Sequence, residues 1–222
     1  MKNNAAIITA AGAGNRFGEL KQFKRLNGQP LYDYSLRTFA DIALFNEIIL
    51  VVPGESQKII EQEVQDKYGS LVKVVIGGIN RQDSVRNGIM YSSSKTDVVV
   101  IHDGARPFVT KKLIKECISA CSSSDGAIIA MQSFDTIKYS KSNIIEKTID
   151  RKNIWMAQTP QAFNREKIIE AYAYKESDHL IMTDESTMME EMGYRIKIIP
   201  GSENNFKITT VNDWRRAEVV LL

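Results

Sequence analysis

Short runs dominated by apolar, β-branched side chains recur along the chain, at residues 5–9, 47–52, 72–76, 98–102 and 127–130. Stretches with helical apolar spacing lie between them, at 30–39, 57–68, 83–91 and 111–119. A strand that is apolar on both faces needs cover on both faces, and a helix after each strand supplies it. The alternation therefore predicts an α/β chain with a mostly parallel sheet flanked by helices. Such sheets bind ligands beyond the carboxyl ends of their strands. The polar residues that follow each run become the candidates for a site.

The alternation breaks near residue 131. Residues 131–138 and 143–150 read as two strands joined by the polar turn Tyr139-Ser140-Lys141-Ser142, which makes a hairpin. A projecting arm for dimerisation over 131–158 is one reading, and a hairpin lying flat at the sheet edge is the other. Beyond it lie Gln158-Thr159-Pro160-Gln161, a helix over 165–177, a segment 183–192 opened by Asp184 and Glu185, a strand over 195–200 and a helix from Val211. At 222 residues, with 43% hydrophobic and 25% charged residues, the expectation is a single domain over 1–222. A net charge of +2 excludes a broad basic surface for nucleic acid. No apolar run approaches the roughly 18 residues of a membrane span, and no signal peptide precedes the first strand. Cys117 and Cys121 have neither disulfide-framework nor metal spacing, so they read as buried thiols. Together these features predict a cytoplasmic enzyme.

The first run enters the loop Ala10-Ala11-Gly12-Ala13-Gly14-Asn15-Arg16-Phe17-Gly18, and Lys21 follows. Glycine lets loop amides approach phosphates closely, and Arg16 and Lys21 add fixed cations. The loop thus points to chemistry at nucleotide phosphates. The dinucleotide fingerprint Gly-x-Gly-x-x-Gly fails because Phe17 holds its third position, which disfavours an NAD-dependent dehydrogenase. The Gly-Lys-Ser/Thr of a phosphate loop is also missing.

Gly77-Gly78 follows the third run, with Arg81, Asp83 and Ser84 close behind. Asp83 and Ser84 read equally as helix caps and as base or ribose contacts, Ser84 capping a helix that begins near Val85. Asp103, in His102-Asp103-Gly104-Ala105-Arg106-Pro107, ends a buried strand near the glycine loop. A carboxylate facing phosphates suggests a divalent cation between them, and magnesium suits that arrangement. An Asp103–Arg106 pair shaping the turn is the structural alternative, and His102 reads as a packed strand residue. Thr136 and Arg151, on opposite limbs of the hairpin, carry the groups that hold a phosphate monoester. Lys207 and Thr209 alternate as they would on one strand face. The Met188, Met189 and Met192 cluster reads as core filling.

These motifs, with Lys21-Gln22, Asp135-Thr136-Ile137-Lys138, Thr148-Ile149-Asp150-Arg151, Thr183-Asp184-Glu185-Ser186 and Asn205-Phe206-Lys207-Ile208-Thr209, resemble the 2-C-methyl-D-erythritol 4-phosphate cytidylyltransferases over almost the whole chain. The resemblance implies a Rossmann-like nucleotidyltransferase fold and a homodimer with interlocking hairpin arms. It implies transfer of a cytidylyl group from CTP to the methylerythritol phosphate, with release of pyrophosphate and with Mg2+ as cofactor. Arg16, Lys21, Lys207 and Arg151 would be the catalytic residues. Ala10, Ala11, Gly12, Ala13, Gly14, Gly78, Asp83, Ser84, Asp103 and Gly104 would hold the nucleotide. Asp103, Arg106, Thr136, Arg151, Thr159, Lys207 and Thr209 would hold the acceptor, Thr136 and Arg151 coming from the partner's arm, and Asp103 would contact the metal. Leu20 departs from the family's proline before Lys-Gln, and Phe206 from its isoleucine or leucine.

A ribitol 5-phosphate cytidylyltransferase shares most of these motifs. Gly104-Ala105, Thr148–Arg151 and Thr183–Ser186 favour methylerythritol phosphate as acceptor. An inactive nucleotide-binding scaffold is the rival from another class, and the presence of Arg16, Lys21 and Lys207 argues against it.

Overall fold

The computed structural model describes residues 2–12, 14, 17–175 and 182–222. The chain runs β1 (Asn4–Thr9), β2 (Arg25–Leu26), β3 (Gln29–Pro30), α1 (Leu31–Ala40), β4 (Glu47–Val52), α2 (Gln57–Tyr68), β5 (Val72–Ile76), α3 (Arg81–Tyr91) and β6 (Val98–Asp103). It continues through α4 (Lys111–Ala120), β7 (Gly126–Gln132), β8 (Ile137–Lys141), β9 (Ile144–Ile149), β10 (Trp155–Asn164), α5 (Arg165–Lys175), α6 (Glu185–Glu191), β11 (Ile196–Pro200) and α7 (Val211–Val220). Seven strands form one sheet in the order β11-β7-β10-β6-β1-β4-β5.

The parallel expectation holds for β1, β4, β5 and β6, and for β7 with β11. Strand β10 is the exception, antiparallel to both β6 and β7. Gln158-Thr159-Pro160-Gln161, which carries no strand pattern, lies within this strand, and its proline cannot donate to a ladder. The sheet accommodates it by a register shift between Gln158 and Gln161.

Side chains alternate across the sheet with period two. Ala6, Ile8, Ile48, Leu50, Val98 and Val100 face α1, α2 and α4, against Leu36, Phe39, Ile60, Val64, Ile114 and Cys117. Ile7, Ile49, Val51, Val99 and Ile101 face α3, α5 and α6, against Val85, Ile89, Ile168, Met188 and Met189. Met188, Met189 and both cysteines are buried core residues and Met192 packs against the core, as their sequence pattern implies. A smaller cluster of Phe17, Leu26, Leu31, Ile208, Trp214 and Ala217 fastens α7 to the loop after β1. Phe17, the residue that breaks the dinucleotide fingerprint, packs its ring 5.7 Å from that of Trp214.

The hairpin is present, with corrected bounds. Met131–Gln132 and Trp155–Met156 pair with each other inside the main sheet, so the arm proper is β8–β9. Its turn is Ser142–Asn143, not Tyr139–Ser142. Both turn residues have positive φ, 49° and 63°, the geometry of a two-residue turn whose twist matches the strands. Among the described residues no helix is long and apolar enough to cross a membrane.

Candidate active site

Strand β1 has β4 on one side and β6 on the other, and the chain reverses its direction of growth between them. That reversal splays the following loops apart and opens a crevice at the carboxyl ends. Thr9 and Asp103 are register partners at those ends. Above them lies a cleft of about 580 Å³ lined by Thr9–Gly12, Gly14, Lys21, Gln22, Gly78–Arg81, Ser84, Asp103, Ala105 and Lys207. A second cavity of about 240 Å³ adjoins it, lined by Arg106, Ala157, Gln158, Thr159, Gln161, Thr183 and Asp184. Arg81, Asp103 and Lys207 line both and form the partition between two lobes.

The glycine loop is locked from below. The Gly14 carbonyl accepts from the amides of Phe17 at 2.7 Å and Gly18 at 2.9 Å, and Gln22 donates to the Gly12 carbonyl at 2.9 Å. Gly14 has φ +71°, and a β-carbon there would stand 1.9 Å from the Glu19 carbonyl oxygen, so both torsion and space demand glycine. Lys21 lines the lobe as expected. Ala13 and Arg16, assigned to the nucleotide and to catalysis, lie outside the described residues, as does Asn15.

Opposite the loop, a capping box starts α3. Asn80 is the N-cap and accepts from the Asp83 amide at 2.9 Å, while the Asp83 carboxylate accepts from the Asn80 amide at 3.3 Å. Of the two readings of Asp83, the cap is the one seen, and Asp83 does not line the cleft. Helix α3 begins at Arg81, not near Val85, so Ser84 is not its N-cap. The Ser84 hydroxyl donates to the Asn80 carbonyl at 3.0 Å and accepts from the Gly78 amide at 3.1 Å. It holds the Gly78 turn at the cleft wall. Gly104 tucks under the floor, its amide donating to the Thr9 carbonyl at 2.9 Å.

Asp103 is the hub of the partition. Its Oδ2 lies 2.9 Å from Lys207 Nζ and 3.5 Å from Arg106 Nε, and its Oδ1 lies 3.2 Å from Arg81 Nε. Burial pushes the Asp103 carboxyl up, but Lys207, Arg81 and Arg106 outweigh it and hold the group well below the usual carboxylate range. The expected Asp103–Arg106 pair is therefore present within a larger network. Arg81 also forks onto Glu185, with both oxygens 2.9 Å from Nη1. The sequence alone gives Arg81 no role and marks Glu185 only as a helix-opening acid. No local signal joins residues 104 positions apart.

His102 is walled in beneath Asp103. Its Nε2 faces the Arg106 carbonyl at 3.1 Å, so Nε2 carries the proton and donates. Nδ1 then accepts from the Thr159 hydroxyl at 3.1 Å, and Thr159 accepts from the Asp103 amide at 3.0 Å. Burial pushes the imidazole down to about 4, which fixes it neutral and confirms a packed residue. Thr159 is the strut of this chain and also lines the second lobe.

Lys207 and Thr209 do not share a strand. Residues 206–209 are irregular, held by the Ile208 amide donating to the Ala105 carbonyl at 2.9 Å. The Thr209 hydroxyl donates back to the Lys207 carbonyl at 3.0 Å, and its amide donates to Asp213 at 2.9 Å, at the start of α7. Thr209 thus braces the Lys207 loop and lines neither lobe. Thr136 and Arg151 sit exposed at the foot of the arm, where Arg151 Nη1 donates to the Phe134 carbonyl. They line neither lobe of their own chain. Gln161, Thr183 and Asp184, also unassigned by sequence, complete the second lobe, Gln161 donating to Asp184 at 2.9 Å.

A magnesium ion finds no protein cage here. Among the described residues no group of three or more His, Cys, Asp or Glu could hold a metal. The donor set suits a metal brought in on phosphates that gains one protein carboxylate, Asp103.

Comparison with known proteins places the chain in one family. The family model for 2-C-methyl-D-erythritol 4-phosphate cytidylyltransferase, IspD, matches residues 4–222. A 2-C-methyl-D-erythritol 4-phosphate cytidylyltransferase of Syntrophus aciditrophicus is 41% identical, covering 97% of this chain and 94% of its own. One from Alkaliphilus oremlandii is 38% identical, covering 100% and 96%. The crystal structure of 4-diphosphocytidyl-2C-methyl-D-erythritol synthase from Anaerococcus prevotii superposes with a TM-score of 0.90 at 30% identity, over 99% of this chain and 96% of that one.

Proposed function

The chain belongs to the 2-C-methyl-D-erythritol 4-phosphate cytidylyltransferase family and transfers a cytidylyl group from CTP to 2-C-methyl-D-erythritol 4-phosphate in isoprenoid precursor synthesis; we propose that it does so across the two-lobed cleft, with Asp103 and Lys207 at the junction. The observation that carries this assignment is the partition itself. One lobe has a glycine loop and Lys21, the other has hydroxyl and amide side chains, and two cations, Arg81 and Lys207, border both.

The glycine-loop lobe takes CTP. The backbone of Ala10, Ala11, Gly12 and Gly14 faces the phosphates, and Gly78 and Ser84 face the base and ribose. The second lobe takes the acceptor phosphate, with Arg106 and Thr159 in its wall. An acceptor phosphate oxygen attacks the α-phosphorus in line. The new P–O bond forms as the bond to pyrophosphate breaks, and the electron pair leaves with pyrophosphate. No protein nucleophile is needed, and neutral His102 is out of reach of the reacting atoms. Catalysis rests on positioning and charge, supplied by Lys21, Lys207 and, by family motif, Arg16. Magnesium held by the triphosphate and Asp103 would neutralise charge on the departing pyrophosphate.

Thr136 and Arg151 serve the acceptor from a partner's arm, in a cytoplasmic homodimer. Support for this lies in the solvent-exposed hairpin, whose Tyr139, Ile144 and Ile145 are uncovered in one chain. The deciding assay supplies CTP and magnesium with either methylerythritol phosphate or ribitol 5-phosphate and follows pyrophosphate. We expect turnover of methylerythritol phosphate to exceed that of ribitol 5-phosphate. Equal or faster use of ribitol 5-phosphate would overturn the acceptor assignment.

A further inference from the structure

The cleft places Asp103 at the meeting of two substrates, and its orientation decides where the Lys207 ammonium stands. Arg81, the first residue of α3, controls that orientation. Its Nε takes Asp103 Oδ1 at 3.2 Å, which leaves Oδ2 to Lys207 at 2.9 Å. The guanidinium is planar and rigid, so its own placement has to be set from the other side. Glu185 does this, presenting both oxygens to Nη1 at 2.9 Å. Glu185 is itself immobilised. It is 1% exposed, it is the first residue of α6, and it accepts from the Tyr172 hydroxyl at 3.3 Å. The N-cap Asp184 fastens that helix start by accepting from the Thr187 amide at 3.2 Å and from Gln161 at 2.9 Å.

We propose that Arg81, clamped by Glu185, is a positioning residue for cytidylyl transfer, setting the rotation of the Asp103 carboxylate and through it the place of Lys207 between the two lobes. Arg81 acts through Asp103 and not on the reacting atoms. The inference rests on the cytidylyltransferase reading of the cleft. It makes α3, beside the nucleotide lobe, and α6, beside the acceptor lobe, two ends of one strut.

A merely structural ion pair makes a different prediction, and a cycle of variants in the full chain separates the two. Arg81→Gln alone leaves Glu185 buried without its partner, so both stability and activity fall. The double variant Arg81→Gln/Glu185→Gln removes both charges together and leaves neither stranded. We expect its melting temperature to return to within a few degrees of the parent. Its kcat should stay about 100-fold low, the size of effect expected from a misplaced catalytic group. Its KM for CTP should change far less than its kcat, since the glycine loop and Lys21 are untouched and Arg81 is one residue of that lobe's wall. Recovery of kcat together with melting temperature would reduce the pair to a structural role and overturn the proposal. Arg81→Lys keeps the charge but cannot span both carboxylates, and it should lower kcat about tenfold or more. Should the double variant melt below the assay temperature, Arg81→Lys decides by the same standard: a parent-like kcat refutes positioning, and a loss at unchanged melting temperature supports it. A parent enzyme that fails to turn over CTP with methylerythritol phosphate would instead sink the reading of the cleft.

Discussion

At the cleft floor, Thr9 and Asp103 end two buried, paired strands, and Asp103 is held by Thr159, Arg81 and Lys207, with His102 fastened behind Thr159. On the arm, no residue of β8 or β9 is buried, and the two strands hold only each other. The floor is positioned by the sheet, at apolar depth, before any ligand arrives. The arm's Tyr139, Ile144 and Ile145 are exposed, and a lone two-stranded hairpin is marginal in water. Rigid chemistry thus sits where burial fixes it, while the groups proposed to act in trans sit beside an exposed element.

The largest test of this contrast is at the cleft. Lys21→Ala should lower kcat about 10²–10³-fold with a smaller change in KM, because charge at the leaving phosphates develops in the transition state. An unchanged kcat would remove Lys21 from the mechanism. Next comes a matched pair of truncations followed by urea unfolding and sedimentation. Ile101→Ala in β6 should cost about 2–5 kcal/mol, as a fully buried side chain leaves a cavity. Ile145→Ala on the arm should cost less than about 0.5 kcal/mol of fold stability while weakening self-association. Equal costs with an intact oligomer would erase the distinction.

Acid provides a third test, specific to the floor. His102 has its folded pKa pushed below the unfolded value, to about 4, so the unfolded chain binds the extra proton. Its contribution is complete above about pH 6.5 and is lost as pH falls toward 4. Between pH 7 and pH 5 this one group should remove about 2 kcal/mol of stability. His102→Gln should flatten that acid limb, measured by urea midpoints at the two pH values, and an equally steep limb would assign the loss elsewhere. The smallest effect concerns the arm. Arg151→Ala should raise KM for the sugar phosphate about tenfold, roughly the 1.5 kcal/mol of one charged hydrogen bond, with KM for CTP nearly constant. Movement of the CTP value alone would refute the trans assignment.

Much of this was legible in order. Continuous apolar runs announced the buried parallel strands, because only burial on both faces tolerates them, and the glycine loop with Lys21 announced the phosphate end of the cleft. Asp184 and Glu185 announced a helix start, since acids favour that end. What stayed hidden was long-range. Strand β10 carries a proline and polar residues that look like a loop until β6 and β7 flank it. The sequence marks Thr159 as an acceptor ligand but carries no sign that its hydroxyl also bridges His102 and the Asp103 amide. Lys207 and Thr209 alternate as on a strand, but the Ala105 carbonyl and Asp213 claim their backbone and set Thr209 as a brace.

The sequence by itself determined the layers, the location of the phosphate loop, the hairpin's existence and the family, because these follow from local periodicity and short motifs. Only the tertiary structure decided that Arg81 and Glu185 meet, that one carboxylate gathers three cations, and that Thr136 and Arg151 stand away from their own chain's cleft. Those facts depend on which strand ends become neighbours once the sheet has formed. Sheet order is a property of global packing, and no stretch of the chain encodes it alone.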